Sequence, residues 1–155
     1  MVRIQSPPVH HIDTSVLLES KDKENAYFTR KYRNLLGIKF LGKVSIFVFG
    51  ELFLYLYRLG LVGKNDEAHN LLDSLQRLFK VKKISLATVH SMSSEIAVKI
   101  REIDPRISPM DSLIVANAIG DGTNLVTLDK KLIRNQTIER EFGIKIRHPK
   151  DILSF

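Results

Sequence analysis

The amino-acid sequence predicts an α/β fold, a three-layer sandwich in which a five-stranded parallel sheet is flanked by helices. Short apolar runs of strand length alternate with segments of helical periodicity along the 155 residues. The strand-like runs are continuously apolar, as expected for parallel strands that are buried on both faces. The length suits one core, so we expect residues 1–155 to form a single domain with residues 1–8 as an N-terminal tail.

The first half of the chain contains two of the predicted strands. A short apolar run at residues 9–12 predicts the first strand, and an apolar face at residues 25–36 predicts a helix. Residues 44–49 are rich in β-branched and aromatic side chains, which predicts the second strand. Residues 51–59 are apolar almost all round, as in a buried or interface helix. Apolar side chains spaced by three and four then predict a helix over residues 68–79.

The second half continues the alternation. Three further strands are predicted at residues 83–87, 125–128 and 144–147. Thr88 is predicted to cap a helix that runs to Ile103. Ser108 and Pro109 open the next helix, because proline is favoured at the first helical position. A last helix ends at Phe142, where the following glycine terminates it.

Charge and composition limit the class of protein. The chain has 24 Lys and Arg against 17 Asp and Glu, a net charge of +7. This favours a nucleic-acid partner, although a Lys-rich surface tuned for solubility is the alternative. The absence of cysteine excludes a disulfide scaffold and thiolate metal sites. No apolar stretch reaches the roughly 20 residues of a membrane span, and we expect a cytoplasmic protein.

Four carboxylates lie beside apolar runs, where acids are normally avoided. They are Asp13, Glu51, Asp111 and Asp129. A buried charge must be paired or bound to a metal, and no matching buried cation is evident. Ligands of parallel sheets bind outside the carboxyl ends of the strands. Three of the acids follow predicted strands and Asp111 lies in a first helical turn, so we expect all four to converge.

Helix capping is the alternative explanation for three of these acids. Asp13 and Asp129 can serve as N-caps. Asp111 can complete a capping box with Ser108. Glu51 resists this explanation because apolar residues follow it directly. The joint placement of four acids at one edge therefore favours a site for a hard cation.

Four segments of the chain, in this order and at these separations, resemble the PIN-domain nucleases, and among them the VapC-type toxins. They are residues 13–17, 45–52, 109–118 and 125–132. The resemblance covers nearly the whole chain. It implies a five-stranded parallel sheet, an acidic pocket that holds Mg²⁺ or Mn²⁺, and metal-dependent endoribonuclease activity. It further implies the toxin component of a toxin–antitoxin pair, with RNA as substrate and an antitoxin protein as a possible partner.

The resemblance also assigns roles to residues. The catalytic and metal-binding quartet corresponds to Asp13, Glu51, Asp111 and Asp129. Thr14 and Thr127 match small hydroxyl residues of the family and are candidates to hold the metal ligands in place. Oxygen ligands without cysteine favour Mg²⁺ or Mn²⁺ over Zn²⁺. We assign Asp13 and Asp129 as the most direct ligands, with the other two acids acting through water.

Other features receive structural or binding roles. Basic and aromatic side chains in residues 21–43 are candidates to hold the RNA backbone. His10 and His11 are adjacent on a strand, so they point to opposite faces. No carboxylate or second histidine stands at ligand spacing from His69, His90 or His148, and structural or surface roles are expected for them. Asp121, between two glycines, is typical of a turn. The apolar stripe at residues 52–57 favours a homodimer interface.

Two other functions are compatible with parts of the pattern. A PIN-like module could bind RNA or a protein without cutting, but the intact quartet argues against it. A phosphoryl-transfer receiver or phosphatase would need a second acid adjacent to Asp13 or two residues after it. Thr14 and Ser15 occupy those places, and no phosphate-binding loop of the P-loop type is present.

Overall fold

The computed structural model describes residues 5–154, and in them the predicted α/β fold with a five-stranded parallel sheet is confirmed. The strands are β1 (Val9–Ile12), β2 (Leu41–Val44), β3 (Ile84–Leu86), β4 (Leu125–Val126) and β5 (Ile146–Arg147). The helices are α1 (Thr14–Leu17), α2 (Lys23–Leu35), α3 (Ile46–Leu61), α4 (Asn65–Lys80), α5 (Ser93–Ile103), α6 (Pro109–Gly120), α7 (Gln136–Phe142) and α8 (Pro149–Leu153).

The strand order creates a switch point beside β1. The order is β3-β2-β1-β4-β5, and every pairing is parallel. The chain therefore extends the sheet to one side of β1 first and then returns to build the other side. Ligand sites of open parallel sheets form at such a reversal, outside the carboxyl ends of the strands. Asp13 follows β1 at this position.

The predicted second strand at residues 44–49 is wrong. Ser45 is the N-cap of α3, and its hydroxyl accepts a hydrogen bond from the Val48 amide at 3.3 Å, so the aromatic run after it is helical. The strand is instead Leu41–Val44. It contains Gly42, where a Cβ would lie 2.4 Å from Cδ1 of Ile12. Close packing in the centre of the sheet thus selects a residue that strand propensity disfavours.

Other boundaries are also corrected. Thr88 does not cap a helix, because α5 begins at Ser93 with Met92 at the N-cap. Strands β4 and β5 are two residues each, shorter than predicted. Residues 5–8 precede β1 without regular structure, and the rest of the predicted N-terminal tail lies outside the described residues. None of the helices within residues 5–154 is long and apolar enough to cross a membrane.

Candidate acidic site

The four predicted acids are carried by four different parts of the fold. Asp13 is the N-cap of α1, and Asp129 lies three residues after the end of β4. Asp111 is in the first turn of α6, as predicted. Glu51 lies in the second turn of α3 rather than directly after a strand. The position of Glu51 therefore differs from the predicted one because the strand before it ends at Val44.

Asp13 occupies the centre of the site. It is 6% exposed, and both of its carboxylate oxygens accept hydrogen bonds. The Thr14 amide donates to Oδ1 at 2.8 Å. The hydroxyls of Thr127 and Ser15 donate to Oδ2 at 2.7 Å and 3.2 Å. These donors fix the orientation of the carboxylate without neutralising its charge.

The pKa of Asp13 reports on its neighbours. Burial, chiefly, together with the negative charges of Glu51 and Asp111, raises this pKa from an ordinary value of 3.8 to about 6. The hydrogen bonds from Thr127 and Thr14 oppose that rise. Three of the predicted acids are thus close enough to interact electrostatically, although they are far apart in the sequence.

Hydroxyl groups connect the acids to one another. Thr14 donates its hydroxyl proton to Oε1 of Glu51 at 2.6 Å, so the predicted supporting role of Thr14 has a geometric basis. Thr127 links two acids, because its hydroxyl donates to Asp13 and accepts from the Asp129 amide at 3.0 Å. Ser15 contributes in a similar way: its hydroxyl donates to Asp13 and accepts from the Leu128 amide at 3.1 Å. No sequence signal predicted the contact between Ser15 and Leu128, since the two residues are 113 positions apart.

The capping alternative holds for Asp13 and for Asp111 with Ser108. It is wrong for Asp129, which accepts a hydrogen bond within a turn, because the next helix, α7, has Asn135 as its N-cap. The Asp111 amide donates to the Ser108 hydroxyl, which in turn donates to Oδ2 of Asp111 at 2.8 Å. Asp129 accepts from the Lys131 amide at 2.9 Å through Oδ1. Each of these two carboxylates therefore keeps one oxygen without a protein donor among residues 5–154. These hydrogen bonds and ligand binding are compatible at both positions.

The donor set fits a magnesium-like ion with few protein ligands. Across residues 5–154, no Lys, Arg or His lies within salt-bridge distance of any of the four acids. No group of three or more His, Asp and Glu side chains in that part of the chain is arranged to ligate one ion. Mg²⁺ is commonly held by one or two carboxylates and several waters. The arrangement suits such an ion and does not suit a closed protein cage.

A second polar group, built around the single carboxylate of Asp121, lies at the other end of α6, and the sequence did not predict it. Nε2 of His11 is 2.6 Å from Oδ2 of Asp121, and Nε2 of His90 is 2.9 Å from Oδ1. Nζ of Lys43 is 3.8 Å from Oδ2. The expectation that His90 has no carboxylate partner and that Asp121 only forms a turn is wrong. Ligand spacing along the chain could not reveal these contacts, because His90 and His11 are separated from Asp121 by 31 and 110 positions, respectively.

The fold and the acidic site together define a class of protein: an α/β domain whose carboxylates gather outside the carboxyl ends of a parallel sheet. The family model for the PIN domain matches residues 11–137. The chain therefore belongs to the PIN-domain family, as its sequence motifs indicated. This family comprises nucleases, which supports hydrolysis of nucleic acid as the class of reaction. None of the curated proteins matches the chain by sequence.

Solved structures share the fold. The chain is similar to VapBC2 from Rickettsia felis bound to a DNA fragment from its promoter, with 17% identity and a TM-score of 0.60 over 90% of this chain and 98% of that one. VapBC-5 from Mycobacterium tuberculosis, of the VapBC family of toxin-antitoxin systems, shows 16% identity and a TM-score of 0.59 over 92% and 99%. FitAcB from Neisseria gonorrhoeae shows 18% identity and a TM-score of 0.59 over 92% and 98%.

Proposed function

We propose that this chain is a cytoplasmic, metal-dependent endoribonuclease and the toxin component of a toxin–antitoxin pair. One observation carries the proposal. Asp13 is buried, has a pKa raised to about 6, and has no cationic side chain within salt-bridge distance among residues 5–154. An ionised carboxylate in this setting destabilises the fold unless a cation binds beside it. Membership of the PIN-domain family and likeness to toxin-antitoxin complexes support the same function.

The residues of the site have separable tasks. A bound Mg²⁺ or Mn²⁺ would lower the pKa of a water ligand and neutralise charge on the scissile phosphate. Asp13 and Asp129 are the proposed direct ligands, because the Thr127 hydroxyl bonds to the Asp13 carboxylate and to the backbone amide of Asp129 and so ties the two residues together. Glu51 and Asp111 act through water. Thr14 keeps Glu51 in place through its hydroxyl.

RNA needs cations close to the acids, since carboxylates alone would repel its phosphates. Lys130 and Lys131 follow Asp129 and line a cavity of about 660 Å³, in which the third cation, Arg106, is paired with Asp104. Within the predicted segment 21–43, Arg30 is paired with Glu19, and Nη1 of Arg33 donates to the Val16 carbonyl. We therefore propose that the cations beside Asp129 make the first contacts with the RNA backbone.

The test is cleavage of single-stranded RNA by the purified protein with Mn²⁺ or with EDTA. We expect cleavage only with the metal, and a decrease of at least about a hundredfold in Asp13→Asn, because even supporting groups of metal sites contribute 10–100-fold. Asp73→Asn is the matched control, since Asp73 is an exposed acid on α4. Cleavage that persists in EDTA, or in Asp13→Asn, would contradict the proposal.

A binding module without nuclease activity is the second candidate. The lack of a three-carboxylate ligand group within residues 5–154 favours it. Such a module would bind RNA with and without Mn²⁺, and its affinity would be the same in Asp13→Asn. The same preparations tested by filter binding therefore separate the two functions.

Two surfaces suit the proposed protein partners. A groove of about 320 Å³ between α1, α2, α3 and α4 has apolar walls that include Leu17, Leu71, Leu75 and Leu78. We propose that an apolar segment of the antitoxin binds there. On the outer side of α3, Phe53 and Tyr57 are 50% and 65% exposed, and we propose this face for the homodimer. Light scattering of Phe53→Glu should then report a monomer, whereas a dimer would contradict this assignment.

A further inference from the structure

A cavity of about 790 Å³ lies on the side of the sheet covered by α2 and α8. Pro8, Asn124 and Lys145, which directly precede β1, β4 and β5, line it. The cavity is therefore at the amino ends of the strands, and β1, about 13 Å long at 3.3 Å per residue, separates it from Asp13. Its volume is within the range of about 300–1,000 Å³ typical of small-molecule sites.

The lining is strongly positive. Five cationic side chains line the cavity against one carboxylate, that of Asp151; they are Lys31, Lys39, Arg134, Lys145 and Arg147. The two arginines are neutralised, because Arg134 pairs with Asp151 and Arg147 pairs with Glu139. The three lysines have no carboxylate within salt-bridge distance in the part of the chain that the structure describes. Like charges around one cavity repel one another, and an anion bound among them would reduce the repulsion.

Arg134 is held at the cavity by an unfavourable backbone conformation. Its φ is +53°, in the left-handed region that L-residues avoid. The Arg134 amide donates to the Ile146 carbonyl at 3.0 Å, which fixes the turn against β5. Strain of this kind is concentrated at functional sites. Its side chain lies 3.0 Å from Asp151, so the turn positions a cation at the cavity.

The floor of the cavity is aromatic. Phe40 stacks on Tyr32 with the ring centroids 5.5 Å apart and the planes at 19°. The ring centroids of His10 and Phe40 are 5.1 Å apart. His10 is 8% exposed and uses Nδ1 in a hydrogen bond with the Tyr32 hydroxyl at 2.9 Å. Its other ring nitrogen has no hydrogen-bond partner within residues 5–154, although His10 lines the cavity.

We propose that this cavity binds a phosphate-bearing nucleotide, with the base against Phe40 and His10 and the phosphate among Lys31, Lys39 and Lys145. A flat heterocycle matches the aromatic floor, and the unpartnered nitrogen of His10 can bond to the base edge. Burial lowers the pKa of His10 to about 4, so the ring is neutral at pH 7 and suits an uncharged base. The acidic site takes no part in this binding, so the proposal stands independently of the nuclease function.

The test is calorimetric titration of the full chain with AMP, inorganic phosphate and adenosine, in EDTA. We expect AMP to bind at least about tenfold tighter than either fragment, because it uses the lysines and the aromatic floor together. Lys39→Gln/Lys145→Gln should weaken AMP binding about tenfold. The control is Lys80→Gln/Lys99→Gln, which removes the same charge from exposed positions outside the cavity.

Further measurements locate the base and identify the source of the nucleotide. Phe40→Leu should weaken AMP binding about tenfold and leave phosphate binding unchanged, because a base loses its stacking partner. A single-stranded RNA pentamer is titrated beside AMP. If the pentamer binds tighter than AMP and is weakened by Lys39→Gln/Lys145→Gln, the cavity binds a nucleotide of an RNA strand. If the pentamer and AMP bind with equal affinity, the cavity binds a free nucleotide.

Three results would overturn the proposal. The first is the absence of AMP binding to a folded wild-type protein at millimolar concentrations. The second is an equal loss of binding in the two lysine double variants, which would mean general attraction of anions. The third is AMP binding no tighter than that of inorganic phosphate. Thermal unfolding of each variant verifies that the surface substitutions leave the fold intact.

Discussion

The carboxylates at the two ends of helix α6 have opposite charge environments. Asp111 in the first turn belongs to a group of acids around Asp13, with no cationic side chain within salt-bridge distance in the described residues. Asp121 at the C-cap lies between two histidines and a lysine. The helix dipole accounts for part of this difference, because it favours an anion at the N-terminus and disfavours one at the C-terminus.

The pKa values of two carboxylates follow the same division. Burial and, to a smaller extent, the neighbouring acids raise the pKa of Asp13 to about 6. Burial would also raise the pKa of Asp121, but the hydrogen bond and charge of His11, the hydrogen bond of His90 and the charge of Lys43 together lower it. Two imidazoles and a lysine therefore surround the Asp121 carboxylate. No cationic side chain does so at Asp13 within residues 5–154, which supports the proposal that an external cation binds there.

Removal of the Asp121 carboxylate should have the largest effect on stability. We expect Asp121→Ala to lower the free energy of unfolding by about 4 kcal/mol, because the His11 ring is 1% exposed and would lose its partner in a buried site. Urea unfolding measures the change, with Asp73→Ala as the exposed control. A loss below about 1 kcal/mol would mean that the cluster is not structural, and the comparison with Asp13 would fail.

Addition of metal should stabilise the protein through the acidic site, at the N-terminal end of α6, and not through Asp121. At about 100 times its Kd, Mn²⁺ should raise the free energy of unfolding by about 2.7 kcal/mol at pH 8. The gain should shrink at about pH 5, because Asp13, with a pKa of about 6, is then mostly protonated and protons compete with the metal. Thermal unfolding with and without Mn²⁺ measures both values. Equal stabilisation of Asp13→Asn would place the metal elsewhere.

Without metal, neutralisation of Asp13 should stabilise the protein. Its pKa in the fold, about 6, is above the ordinary 3.8, so its contribution to stability is present below pH 3.8 and is lost as pH rises through 6. We therefore expect Asp13→Asn to gain about 2 kcal/mol at pH 8 and little at pH 4. Urea unfolding in EDTA at the two pH values tests this. A loss of stability at pH 8 would show that Asp13 is a structural cap.

The acids themselves could be predicted from sequence, since each stands against an apolar run and belongs to an ordered motif. The alternation of strands and helices likewise predicted the fold. Strand β2 could not be predicted, because Gly42 and Lys43 have low strand propensity and Gly42 is selected by the Ile12 side chain packed against it. The aromatic residues after Ser45 gave the stronger strand signal, yet the Ser45 cap starts a helix there.

Sequence reasoning named Thr14 and Thr127 as supporting residues, but it missed the contact of Ser15 with Leu128 and that of His11 with Asp121. Ser15 and Leu128 are 113 residues apart, and His11 and Asp121 are 110 apart. Such contacts depend on the order in which strands pair, and β1 meets β4 only after the chain has built β2 and β3. A periodicity or spacing argument detects only residues that are neighbours within one helix or strand. It therefore finds the acids of the candidate site more readily than their contacts with distant side chains.

The substitution with the smallest expected effect, Thr127→Val, tests whether a hydroxyl group keeps Asp13 ionised. Thr127 is fully buried, and its hydroxyl donates to Asp13 at 2.7 Å and accepts from the Asp129 amide. Thr127→Val removes both bonds at nearly constant volume. We expect a loss of about 1.5 kcal/mol at pH 8. The pKa of Asp13 should rise further, because the lost bond favoured the charged form.

The pH dependence of the stability loss in Thr127→Val separates the bond to Asp13 from the bond that the Asp129 amide donates. A bond to the ionised carboxylate stabilises only above the pKa, so the cost of Thr127→Val should fade as pH falls through 6. The measurement is urea unfolding in EDTA from about pH 4 to pH 8, with Thr137→Val, an exposed threonine of α7, as the control. A cost that is the same at every pH would mean that only the bond from the Asp129 amide contributes, and that Asp13 is kept ionised by some other group or by the metal alone.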